Sequence, residues 1–135
     1  MKFVIASLFC CLCLGCFGQD KGSVDSLKSV LNNSMEDTAK LSILWKLGEL
    51  YSNNNYAEAI KYAEQALAVA ENIKSTKDIV KAHRQIGNNL MFLGSYDKAL
   101  QHYLEAMSLL QEPEDNYQRL EILNNLGALQ DRLGN

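Results

Sequence analysis

Two stretches decide the fold. Tyr56–Ala66 reads YAEAIKYAEQA, and Tyr96–Ala106 reads YDKALQHYLEA. Tyr56, Ala59 and Ala66 thus recur at Tyr96, Ala99 and Ala106, each 40 positions on. Gly48 recurs at Gly87 and again at Gly127, 39 and then 40 positions on. A fixed period in this range means one supersecondary unit repeated, so the spacing predicts a stacked array and not a single globular core. Such arrays present a long surface to partners.

Working outward, Leu41, Leu44, Leu47 and Tyr51 fall at helical spacing, as do Tyr56, Ala59, Ile60, Ala63, Ala66, Leu67 and Ala70. Ser52, Asn53, Asn54 and Asn55 between them form a turn composition. The second copy runs through Ala82, Ile86, Gly87 and Leu90, turns at Gly94-Ser95 and continues through Tyr96, Tyr103 and Leu110. The unit is helix, tight turn, antiparallel helix. Pro113 is the one proline, which also favours helix throughout. Glycine inside a helix costs about 1 kcal/mol relative to alanine. Gly48 and Gly87 therefore predict close crossings with helices that carry Ala59, Ala66, Ala99 and Ala106.

At these residues the chain resembles the tetratricopeptide repeat family. Leu44, Leu47, Gly48 and Tyr51 match its first-helix pattern, and Tyr56, Ala59, Ala63 and Ala66 its second. His83, Ile86, Gly87 and Leu90, then Gly94, Tyr96, Ala99, Tyr103 and Ala106, form the next copy. Leu123, Leu126 and Gly127 begin a third. The period departs from the family's basic unit of about 34 residues, which predicts longer helices: a second helix to about Ile73 and a next first helix from near Thr76. HEAT and armadillo repeats have similar periods but fit these placements less well. The resemblance implies an all-α, right-handed α-solenoid of antiparallel hairpins with a period of about 40.

The chain opens differently. Met1-Lys2 precedes an almost unbroken apolar run from Phe3 to Phe17 that ends in small residues, the pattern of a secretory signal peptide. A membrane span needs roughly 20 apolar residues. Cleavage is expected after Gly18, with export to the periplasm or beyond and no membrane insertion afterwards. The alternative is a lipid anchor at Cys16, since Leu14-Gly15-Cys16 loosely resembles a lipoprotein box. All four cysteines, Cys10, Cys11, Cys13 and Cys16, lie in this leader and read as small apolar residues. The expected organisation is a signal peptide over 1–18, a linker and capping helix over 19–36 with an amphipathic segment at Val24 to Leu31, and the array over 37–135. Its repeats fall at about 37–75, 76–113 and, incomplete, 114–135, with Asp37 or Thr38 expected to cap the first helix.

With 13 basic against 16 acidic residues and no basic patch among aromatics, nucleic acid is not an expected partner. No catalytic constellation, metal site or cofactor motif emerges. His83 and His102 fall on different helices and read as packing and flank residues, and Glu112, Glu114 and Asp115 straddle Pro113 at a helix start for local reasons. A small-molecule hydrolase would need a nucleophile and base that are not found.

First helices line the concave face in the family that the chain resembles. That face is expected to carry Trp45, Lys46, Glu49, Ser52, Lys81, Arg84, Gln85, Asn88, Met91, Asn124, Asn125 and Ala128. The binding candidates are Arg84, Asn88, Asn125, Lys81, Trp45 and Glu49. A guanidinium beside amide donors suits a carboxylate, although Glu121 is acidic where such a clamp wants lysine. The expected function is an exported, non-enzymatic scaffold that binds a protein or peptide. The alternative is the periplasmic input region of a longer signalling protein such as a sensor histidine kinase. Tyr117, Leu120, Leu123, Leu126, Leu129 and Leu133 predict a last helix built to be covered, by further repeats or by a second copy.

Overall fold

In the computed structural model, residues 19–33, 36–111 and 115–134 are described. The leader with its four cysteines, and Glu112, Pro113 and Glu114, lie outside them. Six helices follow in order: α1 (Gln19–Leu31), α2 (Asp37–Tyr51), α3 (Tyr56–Asn72), α4 (Thr76–Phe92), α5 (Tyr96–Ser108) and α6 (Asn116–Leu133). Among the described residues there is no strand, and no helix is long and apolar enough to cross a membrane.

Local chemistry starts and stops these helices. Asn55 Oδ1 accepts from the Glu58 amide at 3.2 Å at the head of α3, and Ser75 Oγ accepts from the Asp78 amide at the head of α4. The expected cap of α2 is corrected. Its N-cap is Glu36, without a side-chain bond, and Asp37 is already helical. Asp37 instead accepts from Asn72 Nδ2 at 3.0 Å, because the antiparallel partner brings the end of α3 onto the start of α2. The α3–α4 and α4–α5 turns share one pattern. The Ser75 amide reaches Ala70 O and the Ser95 amide reaches Leu90 O, both at 2.9 Å. The left-handed position is Gly94 (φ 75°) in one turn and Lys74 (φ 56°) in the other.

Each helix packs on the next in the chain, and α4 also touches α6, so the hairpins stack. Two apolar clusters result. The first joins Leu44, Leu47, Tyr62, Ala66 and Ala70, and α1 covers it with Val24, Leu27 and Leu31. The second joins Val80, Tyr103, Ala106, Ile122 and Leu129. Ala82 of α4 belongs to the first and Val80 and Met91 to the second, so α4 is shared by both. Deep burial of Ala59, Ala66, Ala99 and Ala106, each at most 1 % exposed, lets backbones approach.

The three repeat glycines differ. A Cβ on Gly87 would stand 2.7 Å from the Tyr103 ring, as the close-contact reading requires. A Cβ on Gly48 would meet only ordinary contacts, the nearest being Gln85 Oε1 at 3.8 Å, and one on Gly127 would meet nothing within 4 Å. The expectation of a forced crossing at Gly48 is therefore corrected. The partner that forces Gly87 is a ring and not a helix backbone.

The last helix shows which of its apolar sides packs within the chain. Its packed face is Ile122 and Leu129, at 0 % and 1 % exposed, while Tyr117, Leu120, Leu123 and Leu133 face outward. Two residues one heptad apart on a helix share a face, and α5 lies against that one.

Candidate binding surface

The first helices of the successive hairpins, α2, α4 and α6, meet through polar side chains. Lys81 Nζ of α4 lies 4.5 Å from the centroid of the Trp45 ring on α2. Arg84 Nη1 of α4 pairs with Glu121 Oε1 of α6 at 3.0 Å, and both side chains are half-buried. Asn125 Nδ2 of α6 donates to Asn88 Oδ1 of α4 at 2.9 Å. Tyr103 Oη of α5 donates to the same oxygen at 2.7 Å, so Asn88 joins α4, α5 and α6.

These contacts place the sequence candidates in three groups. Arg84, Asn88 and Asn125 stand together between α4 and α6. Lys81 and Trp45 form a second pair, with Trp45 only 8 % exposed beneath the ammonium. Trp45 is therefore not an open platform: it is one of the side chains of the first apolar cluster, and Lys81 takes its ring face. Glu49 lies apart from both, lining a cleft of about 320 Å³ between α1 and α2 with Lys46, Leu27 and Asn53. Glu121 now has a role that its sign alone did not give. It satisfies Arg84 internally, so a ligand carboxylate would have to displace it.

Tyr103 underlies this face. Burial pushes its phenol up to about 12 from 10.0, against the pull of the Arg84 charge. A neutral phenol is the form that donates to Asn88.

Sequence reasoning missed one cluster. The sequence alone places His83 and His102 on different helices, as packing and flank residues without a pairing. The antiparallel α4/α5 hairpin instead brings their Nδ1 atoms to 3.0 Å, with Glu105 Oε2 at 3.1 Å from His83 Nδ1. The local signal was His102-x-x-Glu105 on one helix face. The third member needed the register between α4 and α5. Burial lowers His83 below its usual 6.5, with Glu105 opposing and His102 adding to the shift.

Comparison with known proteins agrees with the stack. The Tonsoku-like protein of Bos taurus is 38% identical over 73 residues, which is 51% of this chain and 5% of that protein. This chain therefore spans a small part of that relative. Residues 18–119 match the family described as the SusR N-terminal TPR domain. With more than half of its length matched and a stack of paired helices bearing the repeat glycines and alanines, the chain belongs to the SusR N-terminal TPR domain family, a tetratricopeptide scaffold of the kind used for protein–protein interaction.

Proposed function

We propose that this is an exported, non-enzymatic scaffold that binds an extended protein segment along the face shared by α2, α4 and α6. The observation that carries the reading is the row of polar links Lys81–Trp45, Arg84–Glu121 and Asn88–Asn125 across three successive first helices. Amide side chains suit the alternating donors and acceptors of an extended backbone. Arg84 offers a second anchor if an acidic side chain of the ligand replaces Glu121. Nucleic acid and cofactors have no part in this reading. Asn124 is exposed one repeat beyond Arg84, and Gln101 is exposed on α5. A photocrosslinker at Asn124 should capture a partner from periplasmic extract that the same group at Gln101 does not. Equal capture from both positions would sink the inner-face assignment, as would capture unaffected by Arg84→Ala together with Asn125→Ala. Mass spectrometry of the mature N-terminus decides the export route, between Gln19 after cleavage and a lipid-bearing Cys16.

A second reading makes the array the input region of a longer signalling protein, such as a sensor histidine kinase. Two observations favour it. The family description names an N-terminal domain, and α6 leaves Tyr117 74%, Leu120 58% and Leu123 49% exposed. That apolar face suits a further hairpin or a second copy. The reading frame downstream of codon 135 separates the readings: a membrane helix and kinase core would establish the second, and a stop codon would end it.

A further inference from the structure

The second hairpin carries chemistry that the first cannot. Leu44 and Tyr62 of the first hairpin stand at the repeat positions of His83 and His102. Both pairs fill the seam of a hairpin, yet only the second offers imidazole nitrogens, which bind late divalent cations where a neutral phenol does not. His83 Nδ1 lies 3.0 Å from His102 Nδ1 and 3.1 Å from Glu105 Oε2, and the third edge of the triangle, His102 Nδ1 to Glu105 Oε2, is 4.0 Å. Ligands about 2.1 Å from a tetrahedral ion stand about 3.4 Å apart. The three observed edges bracket that value, so a shift of a few tenths of an ångström would make them equal. One shared proton joins two of these atoms and leaves the third without a bond to it. A cation at the centre serves all three.

We propose that His83, His102 and Glu105 form a site for a late first-row divalent cation of the zinc class. The donor set is two imidazoles and a carboxylate, which suits such ions, and a water would complete the tetrahedron. The side chains of His83, His102 and Glu105 are 12%, 28% and 59% exposed, so the ion enters from the Glu105 side without opening the hairpin. The negative charge of Glu71 also reaches His83 and adds to the attraction. Bound there, the ion clamps α4 to α5 beside the Asn88–Tyr103 bond of the inner face.

The test uses the full chain without a histidine tag and with its four cysteines alkylated, since thiolates would take the same metal. Calorimetric titration with Zn²⁺ should give one saturable site per chain and a higher melting temperature with the metal. His102→Gln, at a half-exposed position, should weaken binding by about tenfold or more and remove the thermal shift. Glu105→Gln should weaken it by less. Affinity should collapse well below pH 6.5, about where histidine takes up its proton. Circular dichroism checks that each variant remains helical. Absence of saturable binding to the unsubstituted chain would overturn the proposal, and so would equal binding by His102→Gln.

Discussion

The two complete hairpins have the same outline and different interiors. Gly48 and Gly87 occupy the same repeat position in α2 and α4, and the repeat position that holds Tyr103 in α5 holds Ala63 in α3. With the small residue there, a Cβ on Gly48 would meet nothing nearer than Gln85 Oε1 at 3.8 Å, Ala59 O at 3.9 Å and Tyr62 Cβ at 4.0 Å. With tyrosine opposite, the ring stands over Gly87 and its hydroxyl is tethered to Asn88. The first hairpin places its large ring elsewhere: Tyr62 stacks on Tyr51 at 5.5 Å, and Lys28 of α1 donates to the Tyr51 hydroxyl. A shared glycine thus marks a shared backbone path, but only the second hairpin now requires it.

The sharpest way to break this comparison is to substitute both glycines. Gly87→Leu should cost about 3 kcal/mol or more, because the buried Tyr103 has nowhere to go. Gly87→Ala should still cost about 1–2 kcal/mol by crowding the ring. Gly48→Ala should instead stabilise the fold by about 0.5–1 kcal/mol through helix propensity. Chemical denaturation of each variant reads the difference, and equal effects at the two positions would refute the account. In a Tyr103→Ala background the Gly87→Ala penalty should largely vanish, as a double-mutant cycle would measure.

The turns sharpen the comparison next. Gly94→Ala should cost about 1–2 kcal/mol, since its φ of 75° is left-handed, although nothing crowds the site. Lys74→Gly should stabilise by about 0.5–1 kcal/mol, because the same conformation is held there by a residue with a side chain. Thermal melts that moved in the same direction would contradict the shared turn pattern.

Tyr103→Phe keeps the ring and removes the bond to Asn88, at a cost of about 1 kcal/mol near neutral pH. Its pH dependence supplies the smallest effect. The folded pKa of Tyr103 is raised to about 12 from 10.0, so the unfolded chain loses this proton first as pH rises. Stability from this group is complete below pH 10 and declines from there toward pH 12. The Phe variant should show a shallower alkaline decline than the unsubstituted chain, and identical slopes would exclude the buried phenol as the cause.

Much of this was legible in the residues. The repeat of Tyr56, Ala59 and Ala66 forty positions on gave the hairpin, because small residues recur wherever helices must approach. Helix limits near Ile73 and Thr76 followed from period and turn composition, and α3 and α4 meet there. The candidate face was legible in part. Arg84, Asn88 and Asn125 do come together, but Trp45 sinks into the core and Glu49 turns to the α1 cleft. Periodicity assigns a residue to a helix side within one or two positions, and that margin separates a groove from a seam.

By itself, the sequence determined the class of fold, the number of hairpins and the length of the unit, since these follow from local periodicity and from where small residues recur. Only the tertiary structure decided which glycine is indispensable, which face of α6 packs, and that His83, His102 and Glu105 converge. Those facts depend on the register of one helix against another. Register is fixed by the fit of non-neighbouring side chains such as Tyr103 over Gly87, and no stretch of sequence read alone contains both partners.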